Sequence, residues 1–235
     1  MKKFLLGILV VFVVSFTGCN DDEEGYSLND MWIGFGVLKK SVDASPKAMP
    51  TIIMDNDDML VPVASNYTPA WPARFDDGDR VLVNYTILDD DLSGDVPTFF
   101  VKVNSIEDIL MKDVMDITPE IEDSIGNDPI IVQDFWITDS LLNFKLKYWG
   151  FTQIHFLNLV KEPGELTEES QPVQLELRHN ANDDDESVPY TAFVSFSLNP
   201  LRIEGLDSVR FEFSSTDYDG VKHSVEKVFN YSDLD

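Results

Sequence analysis

The chain has 235 residues, of which 43 are acidic and 17 are basic, so its formal net charge is −26. Such a surface repels phosphate backbones, whose binding depends on Lys and Arg, and this argues against nucleic acid as a partner. The hydrophobic fraction of 43% is that of a folded protein, and a single Cys excludes an intrachain disulfide, so stability must come from apolar burial.

The N-terminus has the pattern of a lipoprotein leader. Two lysines precede an apolar run from Phe4 to Phe16, which is shorter than the ~20 residues of a membrane-spanning helix but has the length of a signal core. The run leads into TGC, which resembles the lipobox of bacterial lipoproteins, although Phe16 stands where leucine is usual. We expect residues 1–18 to be a signal peptide and Cys19 to carry the acyl chains, palmitate among them. The alternative is an ordinary secreted protein with a buried free thiol.

The acidic run NDDEE follows the cysteine directly, and residues 19–29 are predicted to be a tether. The run resembles the surface-export signal of some bacteria with two membranes, and it would also serve as a solvated spacer. We therefore expect an outer-membrane lipoprotein that faces the cell exterior or, failing that, the periplasm. Because acidic groups oppose anionic lipid, the lipid on Cys19 should be its link to the membrane.

Residues 30–116 alternate apolar and polar side chains with the period of a β-strand. Five segments show it, and a turn at Asn56–Asp57 separates the second from the third. Closing five short strands removes exposed sheet edges, so the pattern predicts a small OB-like barrel. Gly78, in the turn before the fourth segment, is expected to take a positive φ.

A connector separates this block from the next. The stretch NSIEDILMKDVMD breaks the strand pattern and predicts a short helix near Ile106–Met115, and Pro119, Gly126 and Pro129 mark the loop that follows.

Residues 117–235 contain six or seven further strand segments with turn signals between them, which predicts an antiparallel β-sandwich. In LLNFKLKYW, the residues Leu142, Phe144 and Leu146 should point inward and Asn143 outward. The predicted fold class is therefore all-β, a small OB-like five-stranded barrel followed by an antiparallel β-sandwich. One continuous β fold is the alternative, against which the connector argues.

Several segments of the second block, together with the lipobox and the five-strand block, resemble the NigD-like family. These segments read LLNFKLKYWGF, QIHFLNLV, LELRHNA and GLDSVRFEFSSTDYDGVKH. The resemblance implies an N-terminal OB-like domain and a C-terminal β-sandwich on a lipoprotein anchor. The family is named after an immunity role assumed from a neighbouring bacteriocin gene, and it brings no catalytic residues to carry over.

The loop NYTPAWPARF offers the candidate ligand-binding residues Trp71, Arg74 and Phe75. Loops of OB-like barrels bind oligosaccharides, and an exposed Trp between two prolines would be a stacking anchor. The competing interpretation is that Trp71 closes one end of the barrel.

The three histidines, His155, His179 and His223, lack the spacing of a zinc motif and have no second Cys to help them. We expect structural or surface histidines, with no metal and no cofactor. Three acidic runs, Asp55–Asp58, Asp89–Asp91 and Asp183–Glu186, have oxygen ligands for calcium but not the spacing of an EF-hand loop, so solvated turns are the alternative.

No nucleophile elbow is present, and the sequence predicts a binding protein that is not an enzyme. The expected partner is a protein, a toxin or a glycan, and a role like bacteriocin immunity is one form of this hypothesis. Two alternatives stay open. One is a structural accessory subunit of an outer-membrane complex, and the other is a hydrolase that uses paired carboxylates.

Overall fold

The computed structural model describes residues 25–40, 49–66 and 74–232. Within these residues nearly all of the regular secondary structure is β-strand, with one α-helix, α1 (Glu122–Ile125), and two single 3₁₀ turns. No helix in these three ranges is long and apolar enough to cross a membrane.

The first five strands close into a barrel with the order β1-β2-β3-β5-β4, in which β4 returns to β1. Strands β3 and β5 run parallel and the other neighbours run antiparallel. This confirms the predicted OB-like barrel. The strands are β1 (Trp32–Lys39), β2 (Thr51–Met54), β3 (Met59–Ser65), β4 (Arg80–Asp91) and β5 (Thr98–Asp108).

The barrel interior is filled by alternate side chains of its strands. Val81 and Val83 of β4 and Val101 and Val103 of β5 are fully buried, because a two-residue period places them on the inner face. Gly78 has φ +87°, as predicted, in the turn that leads into β4.

Nine further strands form two sheets packed face to face, which confirms the predicted sandwich. The five-stranded sheet has the order β14-β13-β11-β10-β7 and the four-stranded sheet has the order β6-β12-β9-β8. Most neighbours are antiparallel, while β11·β13, β12·β6 and β10·β7 are parallel. The strands are β6 (Leu110–Asp113), β7 (Met115–Asp116), β8 (Ile131–Thr138), β9 (Leu141–Gly150), β10 (Phe156–Lys161), β11 (Val173–Asn180), β12 (Val188–Ser197), β13 (Ser208–Thr216) and β14 (Lys222–Asn230).

The helix predicted near Ile106–Met115 is wrong, and so is the barrel boundary at residue 116. Residues 110–113 pair with β12 in one sheet and residues 115–116 pair with β10 in the other, so this segment closes one edge of the sandwich. Val114, between the two strands, is buried in the core. Two open sheet edges offered hydrogen bonds that local sequence pattern does not reveal, and pairing with them overrides helix propensity.

A buried arginine joins the barrel to the sandwich. Arg80, 1% exposed, donates from both terminal nitrogens to the carboxylate of Asp55, also in the barrel, and from Nη2 to the Asn143 side-chain oxygen of β9 at 3.1 Å. Trp136 of β8 donates its indole N–H to Asp55 at 2.9 Å. Asn143 points away from the sandwich core, as predicted, but it is buried because the barrel covers it.

Aromatic side chains pack beside this polar contact. The ring of Phe35, on the outer face of β1, lies 5.1 Å from that of Trp136 and 5.0 Å from that of Phe193, and the Arg80 guanidinium stacks over it at 5.6 Å. A planar cation in a water-poor site is held by paired carboxylate oxygens and a ring face together, which fixes the two domains relative to each other.

Replacing Arg80 with methionine should destabilise the whole chain, because it leaves the partly buried carboxylate of Asp55 without its cation. We expect the free energy of unfolding to fall by about 3 kcal/mol in urea titrations followed by fluorescence. The matched control is Arg210→Met, which breaks a well-exposed pair with Glu226 at 3.4 Å and should cost under ~1 kcal/mol. Equal losses in the two variants would show that the junction is not held by Arg80.

Candidate functional site

Of the residues predicted to bind ligand, the structure describes Arg74 and Phe75. Cys19 and Trp71 lie outside the described residues, so their roles stay predictions. Phe75 is 2% exposed and packs in the barrel core, where it cannot meet a ligand. Arg74 is exposed, and its guanidinium stacks over the Phe75 ring at 5.4 Å. Within the described part of this loop, Phe75 therefore helps to fill the barrel.

A denser arrangement lies at the end of the sandwich farthest from β7, where the β9–β10 loop folds around the carboxylate of Asp184. The backbone N–H of Phe151 donates to Oδ2, and that of Thr152 donates to Oδ1 at 3.1 Å. His155 places Nε2 3.2 Å from Oδ2. Burial raises the pKa of Asp184, but these amides, that of Gln153 and the His155 ring together hold it well below its usual value. The carboxylate is therefore ionised and anchors the loop.

Two histidines extend this contact into the sandwich. His155 Nδ1 lies 2.8 Å from His179 Nε2, and His179 Nδ1 lies 2.9 Å from the Pro129 carbonyl oxygen. A carbonyl only accepts, so His179 donates from Nδ1 and, when neutral, accepts at Nε2 from His155. Asp184 also only accepts, so any hydrogen bond between Nε2 of His155 and Oδ2 is donated by the histidine.

The protonation of His179 is set by its surroundings. Burial lowers the pKa of His179 below the ordinary 6.5, and repulsion from His155 acts in the same direction, while the carbonyl of Pro129 and the charge of Asp128 oppose it. The direction that results favours a neutral ring, which matches the acceptor role at Nε2.

Tyrosine rings and a glycine complete the packing around the histidines. Tyr148 lies over His155 at 4.7 Å and stacks on Tyr190 at 5.8 Å between ring centroids. Gly150 approaches the pair so closely that a Cβ there would lie 2.7 Å from His155 Nε2 and 3.0 Å from Asp184 Oδ2. Only glycine fits this position without moving the loop. We call Asp184, His155 and His179 the latch.

The latch holds apolar side chains out in solvent. Phe151 is 58% exposed and Ile154 is 73% exposed, although both belong to a loop fixed at its amides and at His155. Tyr190 reaches the same loop through its hydroxyl, which donates to the Phe151 carbonyl at 3.4 Å. Together with other exposed apolar residues of the flanking strands they form what we call the display patch: Phe151, Ile154, Phe156, Val188 and Tyr190.

Besides a concavity of about 320 Å³ beside Glu122, Lys161 and Arg178, two larger ones lie elsewhere in the described part of the chain. One, of about 460 Å³, runs beside the junction and is lined by Asp55, Arg80, Asp113 and Asp139 among others, but the first two are already bound to each other. The other, of about 440 Å³, opens between the edge strands β8 and β14 and is mainly apolar. No three His, Cys, Asp or Glu side chains within the described ranges are grouped so as to hold a metal ion.

Sequence reasoning missed the latch because its members are far apart in the chain. Asp184 belongs to an acidic run for which the sequence predicts a calcium site or a solvated turn, whereas in the structure its side chain is buried against backbone amides. Asp55, in another such run, binds Arg80. Two consecutive residues with positive φ, Asn182 and Asp183, turn the chain so that Asp184 points inward, and Asn and Asp are the residues that tolerate this best. That pair was the available signal.

Two domains of one protein family match the chain, the first over the barrel and the second over the sandwich. Residues 35–109 match the NigD-like N-terminal OB domain, and residues 113–229 match the NigD-like C-terminal beta sandwich domain. The gap between them coincides with the point where the chain passes from β5 of the barrel to β6 of the sandwich. No curated protein matches this chain.

Solved structures of several bacterial proteins share the architecture. A protein of Parabacteroides distasonis described as toxin related is 28% identical, with a TM-score of 0.69 over 87% of this chain and 95% of its own. A NigD-like immunity protein of Bacteroides caccae is 20% identical, with a TM-score of 0.61 over 85% and 94% of the two chains. A Bacteroides fragilis protein provisionally described as a lipoprotein is 9% identical, with a TM-score of 0.62 over 87% and 100%. At the two lower identities the likeness is one of fold alone.

The latch should make stability depend on pH. Because the pKa of His179 in the folded chain lies below its ordinary 6.5, the unfolded chain takes up the proton first as the pH falls. Stability from this residue is therefore complete above about pH 6.5 and declines below it. Urea midpoints between about pH 7.5 and 5 should fall more in the wild type than in His179→Asn, whose amide can still donate to Pro129. A wild-type curve parallel to that of the variant would contradict the assignment.

Proposed function

Because this chain belongs to the NigD-like family, we propose that it is a lipid-anchored protein of the bacterial cell envelope that acts by binding a partner and not by catalysis. The display patch is the observation that carries the proposal. Large apolar side chains are normally exposed singly, whereas here two are exposed on a fixed loop and three more on the strands that flank it. Fixing a contact surface in advance lowers the entropy lost on binding, which is what a binding site requires.

The anchor is the second part of the proposal. A short apolar leader ends at the only Cys of the chain, and acyl chains on Cys19 would each add about 0.8 kcal/mol of membrane affinity per buried methylene. We infer an outer-membrane location with the folded domains on the cell exterior. The acidic run after Cys19 supports exposure on the cell exterior. The alternative to be tested is that the folded domains face the periplasm.

A toxin is the partner that fits the relatives best. One relative is described as toxin related and another as an immunity protein. In an immunity role, a protein tethered to the envelope binds an incoming toxin before it reaches its target. The patch and the tether together supply the two things such a role needs, a contact surface and a fixed location.

Replacing Cys19 with alanine should release the protein from the membrane. Cells fed a clickable palmitate analogue should label the wild type and not the variant, and the variant should leave the membrane fraction. Ser15→Ala, a change inside the leader, is the control and should keep both label and location. Protease added to intact cells should digest the anchored wild type if it faces the exterior. Persistent labelling of the Cys19 variant would contradict the anchor.

Replacing both Phe151 and Ile154 with serine should abolish binding while leaving the fold intact, since neither side chain belongs to the core. Cells carrying the wild type should survive culture fluid from a toxin-producing neighbour better than cells carrying the double variant. Leu92→Ser, at a 60% exposed residue of the barrel, is the control and should protect like the wild type. Equal survival with the double variant would show that the patch is not the binding surface.

A further inference from the structure

The surroundings of the display patch identify the chemistry of its partner. The β11–β12 loop, which supplies Asp184 to the latch, also carries three exposed acidic residues, Asp183, Asp185 and Glu186. No Lys, Arg or His of the described ranges forms an ion pair with any of these three. Lys147 of β9 lies over the Trp149 ring at 4.5 Å. The patch is thus bordered by carboxylates that have no cation partner in this part of the chain.

We propose that the display patch binds a cationic polypeptide whose apolar side chains cover Phe151 and Ile154 while its Lys or Arg side chains face Asp183, Asp185 and Glu186. This inference rests on the proposed binding function and adds the chemical class of the partner. An apolar centre with charges at its rim is the usual anatomy of a protein interface. Opposite charge across the rim adds association rate and selects against other partners.

Charge also separates this partner from the other occupants of an apolar surface. A second copy of the chain would bring the same carboxylates against each other, and the chain as a whole has a net charge of −26. An anionic lipid surface would be repelled in the same way. A neutral apolar segment would gain no electrostatic attraction from the carboxylates at the rim. A basic polypeptide alone gains from both the rim and the centre.

The latch explains why a loop can present such a surface. Phe151 and Thr152 give their amides to Asp184, and His155 closes the loop at its other end, so the backbone between is fixed before a partner arrives. The same short loop, 182–186, holds the anchoring carboxylate inward and the three rim carboxylates outward. One chain segment therefore sets both the shape of the patch and its charge.

The test uses the full-length chain in detergent and three synthetic peptides of alternating sequence: Lys–Leu, Glu–Leu and Lys–Ser. We expect the Lys–Leu peptide to bind measurably more tightly than the other two in calorimetry, with affinity that falls as salt increases. The Phe151→Ser, Ile154→Ser variant should lose at least about tenfold in affinity, because exposed aromatic and aliphatic anchors dominate such contacts.

The charge of the rim is tested against a matched control. The variant Asp183→Asn, Asp185→Asn, Glu186→Gln removes three charges at the patch, and Glu165→Gln, Glu168→Gln, Glu169→Gln removes three exposed charges from the loop at the opposite end of β10. The first should weaken Lys–Leu binding about tenfold and flatten its salt dependence, and the second should change little. Equal weakening by both would overturn the proposal, because general electrostatic attraction would then explain the binding.

Fixing of the loop is tested with glycine variants. Gly150→Ala would place a methyl group against His155 and Asp184 and should weaken binding without changing a patch side chain. At Gly94 a new Cβ would have no atom closer than 3.8 Å, so Gly94→Ala should bind normally.

Three results would each overturn the proposal that the partner is cationic: tight binding of the Glu–Leu peptide, tight binding of anionic vesicles, or association of two copies of the chain through Phe151. If cells still lose toxin protection in the Phe151, Ile154 variant while Lys–Leu does not bind, the binding function stands and this inference fails.

Discussion

The carboxylate of Asp184 is the constraint on which the exposed end of the sandwich depends. It is buried, it accepts from the amides of the β9–β10 loop, and it faces a histidine that is itself bonded to a second histidine. An ion taken out of water is costly unless its hydrogen bonds are complete, and here they are completed by one loop and one ring. The result is a loop whose backbone is fixed while its largest side chains remain in solvent.

A second buried ion, Arg80, fixes the junction between the barrel and the sandwich. It binds Asp55 within the barrel and Asn143 within the sandwich, and rings from both domains cover it. The two sites are stabilised in the same way. In each, a buried charge specifies one arrangement of chain segments that are far apart in sequence. For a strongly acidic protein this is a way to fix geometry without an apolar surface large enough to promote association.

Local pattern predicted the architecture because a two-residue period needs no knowledge of neighbours. The inward residues Leu142, Phe144 and Leu146 of β9 follow from this period, and all three are buried. Local pattern does not predict the features that are determined by contacts between distant segments of the chain. Residues 110–116 form strands because two sheet edges lie beside them, and Asn143 is buried because the barrel happens to cover that face. Asp184 could not be distinguished from its acidic neighbours, since its partners lie 29 or more residues away. The composition of the loop predicts ligand contacts for Phe75 and Trp71 alike. It does not predict that Phe75 packs in the barrel core.

Hydrogen exchange of the backbone amides of Phe151 and Thr152 tests the latch most directly. These amides belong to exposed residues, so without the latch they would exchange as fast as those of an open surface loop such as the one containing Gly164. With the latch, they should exchange as slowly as amides of the neighbouring strands, and that protection should disappear in Asp184→Ala. Fast exchange of both amides in the wild type would contradict the account, because the patch would then have no fixed loop to display it.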